Sequence, residues 1–171
     1  MLRAWRQTLI YSNSVVIYMS TGRPEYCVYR KLLDVNVASR RIRLNPRILL
    51  YGTCVRDEYP EIFEKMAVER VPLAVCMEET HMNMVALKLA SLTARIKLDE
   101  LVVLTVDGSP HCVQLHMAVE EVDKIVGGIR VKHYVIEGGR VIEIDPHYVK
   151  LARYLSRIKK LYERVKEVLE E

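Results

Sequence analysis

Hydrophobic and polar positions follow three rhythms along this chain of 171 residues. The first 46 residues alternate as strands do. TLIYS and SVVIYMS are rich in β-formers and are separated by Ser12-Asn13-Ser14. VYRKLLDVNV and SRRIRLN follow, the latter setting Ile42 and Leu44 between arginines. Gly22-Arg23-Pro24 breaks the run and Asn45-Pro46 ends it, so a small antiparallel extension is expected.

From residue 47 the pattern is a regular βα alternation. Strands are expected at 47–53, 71–77 and 100–106, each a near-continuous apolar run, as when both faces of a sheet are covered. Helices are expected at 57–69, 81–96 and 110–126. RVKHYVIE and RVIEID flank Gly138-Gly139, the composition of a two-residue hairpin turn. Such alternation implies parallel crossovers and an α/β three-layer sandwich with a mostly parallel sheet.

The third rhythm is helical. Asp145 suits an N-cap and Pro146 a first helical position. Tyr148, Leu151, Leu155, Ile158, Tyr162, Val165 and Leu169 then recur at heptad spacing, which predicts one long helix over 146–171. The chain thus reads as a single domain: a β extension (1–46), a βα core (47–145) and a heptad-patterned helix. The late seam residues outrun any strand beneath them, so a homodimer through this helix is expected, with the extension as the other available cover.

Charge separates the extension from the rest. Residues 1–47 carry nine basic and two acidic side chains, whereas the remainder carries 17 basic and 20 acidic. A basic front third suits an acidic protein or redox partner; no nucleic-acid motif accompanies it, so nucleic acid is not the expected partner. No apolar run approaches the ~18 residues of a membrane span, and a cytoplasmic protein is expected. Two Gln and four Asn against 26 Lys/Arg and 22 Asp/Glu lean toward a thermophile composition.

The cysteines carry the candidate chemistry. Cys54, Cys76 and Cys112 each fall where an expected strand gives way to a helix, and parallel sheets put their sites at that edge. Ser109 and Pro110 start the third helix, so Cys112 lies in a first turn, where free amides and the dipole favour a thiolate. His116 follows at i+4 on the same face, His111 adjoins Cys112, and Asp107 ends the strand as an orienter, base or ligand. Cys76 is followed by Glu79 and His81. Thiolates select soft metals. Three of them favour an iron–sulfur cluster with a redox or electron-transfer role, His111, His116 or Glu79 supplying a fourth ligand. Two with a histidine favour zinc, leaving open whether the protein is an enzyme with Asp107 as its catalytic group. A third reading is a non-enzymatic assembly protein whose cysteines are structural.

Tyr51-Gly52-Thr53-Cys54 and Gly108-Ser109-Pro110-His111-Cys112 make residues 47–127 resemble the cluster-binding, flavodoxin-like domain of nickel–iron hydrogenase small subunits. That resemblance implies a [4Fe–4S] cluster held by Cys54, Cys76 and Cys112; the paired cysteines of that family's first loop are absent here. Residues 86–112 are similar to the segment of β-class carbonic anhydrases that ends in a zinc-binding HxxC, although His111 and Cys112 are adjacent.

Overall fold

A computed structural model describes residues 15–18, 25–28 and 30–169, with side chains from residue 30 to 166. The expected strand at 8–12 lies outside the described residues. Strands β1 (Val15–Tyr18) and β2 (Glu25–Val28) pair antiparallel, as the extension's alternation predicts.

The rest of the expected extension is not strand. A single 3-10 turn covers Leu32–Asp34, and α1 is one helical turn, Arg40–Leu44. The correction has a simple cause. In α1 only Ile42 is taken into the core, at 0% exposure, while Leu44 is 75% exposed. One helical turn plants one apolar side chain and leaves the flanking arginines in water; a strand would have needed a covered face for both.

The main sheet has five strands in the order β4-β3-β5-β6-β7. They are β3 (Arg47–Gly52), β4 (Val71–Val75), β5 (Glu100–Val106), β6 (Val131–Glu137) and β7 (Arg140–Ile144). β7 alone runs antiparallel, paired to β6. Gly138 and Gly139 make the turn between them with φ of 53° and 78°, a backbone that side-chain-bearing residues resist.

Helices cover both faces, which is the expected three-layer α/β arrangement. Helices α4 (Met82–Thr93) and α5 (Pro110–Val126) bury Val85, Leu89, Leu92, Leu115, Val119 and Val122 against one face of β3, β4 and β5. The other face, built on Leu49, Tyr51, Val102, Leu104 and Ile136, is met by α2 (Thr53–Glu58) and α3 (Pro60–Ala67). These two replace the one helix expected at 57–69. Pro60 has no amide hydrogen and keeps the residue before it out of helical geometry, and Tyr59 sits at φ −133°. The first of them begins directly after β3, so Cys54 lies in a helical turn.

At the amino ends of the strands, Glu100 is 4% exposed and accepts from Arg70 Nε at 2.8 Å, with Arg47 Nη2 3.5 Å away. Burial raises its pKa, and the two arginines overcome this to leave the carboxylate below its usual range.

The last helix is two helices, α6 (Pro146–Leu151) and α7 (Leu155–Leu169). Asp145 caps the first, accepting from His147 N at 2.8 Å. Val149 is buried, and α6 packs on α5. Arg153, between the helices, donates to Glu121 and to Met117 O on α5, which pins the break. The seam therefore does not continue unbroken from Tyr148.

Candidate functional site

The site is built where β3, β4 and β5, three neighbouring parallel strands, end at one edge of the sheet. Cys54, Cys76 and Cys112 follow those strands and all three are free thiols. Sequence periodicity alone places them there. What each side chain meets is decided by the packing.

Cys112 is half-buried in the first turn of α5, after the tight turn at Asp107-Gly108, where Gly108 takes φ +83°. Its backbone N donates to Ser109 Oγ at 3.4 Å. A Cβ added to Gly52 would sit 3.9 Å from Cys112 Sγ and 3.9 Å from Thr105 Cγ2, so β3, β5 and the thiol close on one another at that glycine. Burial pushes the Cys112 thiol up, and the nearby Cys54 adds to this as a like charge. Hydroxyls of Ser109 and Thr105 and the Val106 backbone oppose it without winning. The expected first-turn preference for a thiolate is thus opposed by the desolvation of a half-buried sulfur.

Cys54 is exposed. Cys76 is half-buried directly after the outer strand β4. Lys31 donates to Glu79 Oε1 at 2.6 Å, and Thr80 N donates to Cys76 O at 3.0 Å. Lys31 thus pairs with Glu79, three residues after Cys76, while Cys112 lies against Gly52. Half-buried His111 flanks Cys112, and Asp107 is exposed at the strand end, its N–H donating to Ile136 O at 3.0 Å. Among the described residues, no three His, Cys, Asp or Glu side chains stand together as a ligand set for a metal ion.

His116 does not point to the edge. It is 4% exposed and belongs to a polar chain between α5 and the sheet. Its Nε2 lies 2.9 Å from Thr105 Oγ1, its Nδ1 lies 2.9 Å from His133 Nδ1, and His133 Nε2 lies 2.8 Å from Glu120 Oε1. Carboxylates only accept, so with Glu120 ionised and a single proton on the His133 ring one set of directions follows. His133 Nε2–H donates to Glu120, His116 Nδ1–H donates to His133 Nδ1, and Thr105 O–H donates to His116 Nε2. Every buried polar atom in the row is satisfied with both imidazoles neutral. Burial, reinforced by His133, lowers the His116 pKa to about 3.

His133 and Glu120 had no motif to mark them. The available signal was His133 facing inward in an apolar strand, alternating with residues of the other face.

The architecture agrees with a family model. A model described as a Rossmann-like domain matches residues 43–168. Neither a curated protein nor a solved structure matches the chain. The match is consistent with the flavodoxin-like α/β arrangement implied by the first resemblance and does not extend to hydrogenase or carbonic anhydrase chemistry. With the model spanning the whole βα core and the helices that follow it, the chain belongs to the Rossmann-like domain family.

Proposed function

We infer that the carboxyl edge of the sheet is a thiolate site for a soft metal centre, an iron–sulfur cluster before zinc, serving a redox or electron-transfer role. The observation that carries this reading is the placement of three free cysteines after three adjacent parallel strands. Cys54 and Cys112 would provide two ligands from neighbouring helix starts. Cys76 would provide the third from the end of β4, and His111 or Glu79 the fourth. His116 is committed to Thr105 and His133 and is left out of the set.

Soft sulfur donors suit such a centre. The raised Cys112 pKa adds a consequence: loading must displace the thiol proton, so metal uptake releases protons. A cluster there would supply one-electron transfer, while the protein supplies the thiolates and shields Cys112.

Anaerobic purification with iron, sulfide and zinc quantitation tests the reading. Visible absorbance with near-equal iron and sulfide, lost in Cys54→Ser and Cys112→Ser, is the expected result. Stoichiometric zinc without sulfide would favour the Cys2His zinc alternative. Metal-free protein after anaerobic reconstitution would end both and leave the assembly reading.

A further inference from the structure

Thr105, His116, His133 and Glu120 run in a row through the interior, and the two ends of the row meet different surroundings. Glu120, on α5, keeps 18% of its side chain exposed, whereas the His133 side chain has none. Thr105, at the other end, is 1% exposed and lies at the carboxyl edge of the sheet. A Cβ added to Gly52 would stand 3.9 Å from both Thr105 Cγ2 and Cys112 Sγ, and the Thr105 hydroxyl is one of the groups that act on the Cys112 thiol. Contacts of 2.9, 2.9 and 2.8 Å therefore join a solvent-reaching carboxylate to the surroundings of Cys112. The two ends lie eight residues apart on α5, about 12 Å along the helix.

The direction of the row depends on one proton. With a single proton on the His133 ring every donor points toward Glu120, and the Thr105 hydroxyl proton is committed to His116 Nε2. A second proton on His133 reverses this. An imidazolium has two donors and no acceptor, so His133 Nδ1–H donates to His116 Nδ1 while Nε2–H still donates to Glu120. The neutral His116 ring then carries its proton on Nε2 and donates to Thr105 Oγ, which frees the hydroxyl proton. The row gains one proton in all: His133 holds two, and His116 and Thr105 hold one each as before. His133 is the ring suited to the charge, because Glu120 makes it an ion pair, whereas burial opposes a charge on His116. The elements around the row add no competing charge. Glu121 on α5 is held by Lys124 and Arg153. Lys132 and Tyr134 alternate to the other face of β6, β5 offers Thr105, β7 sets Ile144 opposite His133, and α6 brings the buried Val149.

We propose that this row is a proton-operated switch: a proton taken up by the His133–Glu120 pair reverses its hydrogen bonds and turns the Thr105 hydroxyl proton toward Cys112. The acid form then offers the sulfur a donor that the neutral form withholds, so the flank of α5 sets the state of the carboxyl edge. Every group in the switch belongs to this chain, and it stands independently of the metal reading.

Nitrogen NMR of the imidazoles in the full, metal-free chain reads the switch. Near neutral pH His116 should be the Nδ1–H tautomer and His133 the Nε2–H tautomer. On acidification His133 should gain its second proton while His116 stays neutral and changes to Nε2–H in the same step. Mass-mapped alkylation reads the far end. Where both thiols are mostly protonated, the labelling of each falls in parallel with pH, so the ratio of Cys112 to Cys54 stays flat unless the surroundings of one of them change. Through the His133 step that ratio should rise severalfold, and in Thr105→Val, which keeps the side-chain volume, it should stay flat. Glu120→Gln removes the counter-charge and should move the His116 tautomer change to about tenfold higher proton concentration or more, with circular dichroism unchanged. A fixed His116 tautomer, two rings that charge together, or unfolding before either ring changes would overturn the proposal. So would a flat ratio in the wild type, or one that rises equally in Thr105→Val.

Discussion

His116 shows how a single buried side chain couples this fold to pH. Its pKa is about 3 when folded, against an ordinary value of 6.5. Between those values the unfolded chain binds the extra proton, so stability is full above about pH 6.5 and falls as pH drops toward 3. At ~1.4 kcal/mol per unit the ceiling is about 5 kcal/mol. The ring's hydrogen-bond partners are Thr105 and His133, and the Glu120 carboxylate reaches it only through His133. Urea midpoints measured from about pH 7 to about pH 4 should fall for the wild type and fall less steeply for His116→Gln. Equal slopes would place the acid sensitivity elsewhere. Cys112 gives a second test at this scale. Its thiol is half-buried and pushed up, whereas Cys54 is exposed. Mass-mapped alkylation of metal-free protein near neutral pH should label Cys54 first; faster labelling of Cys112 would mean that the first-turn amides win after all.

At the scale of elements, short segments were decided by what covers them. Residues 39–45 alternate like a strand, yet α1 forms because Ile42 alone finds the core, packing with Leu32 and Val35. Ile42→Ala should therefore cost about 2–4 kcal/mol in chemical denaturation, whereas Leu44→Ser should change stability by less than about 0.5 kcal/mol. Comparable losses at both positions would contradict the one-turn anchor. The division of α2 from α3 was legible in principle, since Pro60 stood inside the expected helix and proline marks such breaks.

For the whole molecule, the question is what α7 does for the rest. Little of it rests on the other described elements, so truncation after Ser156 should leave far-UV structure of the core intact and shift the melting temperature by no more than a few degrees. A core that melts early without α7 would show that the helix serves its own chain. No helix among the described residues is long and apolar enough to cross a membrane.

The sequence by itself determined the βα order, the apolar strands, the Gly138-Gly139 turn and the alignment of Cys54, Cys76 and Cys112 along one edge. These depend on periodicity and on the handed connection of parallel strands, which are local or topological properties. Strand order, by contrast, put β3 between β4 and β5, and that order brings Cys112, after β5, against Gly52 at the end of β3. His116 shared a helix face with Cys112 in the pattern; the rotation of α5 against β5 and β6 turned its ring inward to Thr105 and His133. The heptads of the last helix were visible residue by residue, but its break at 152–154 came from Arg153 binding α5, a contact 32 positions away in the chain from Glu121. Long-range partners of this kind leave no local period, so packing alone decides them.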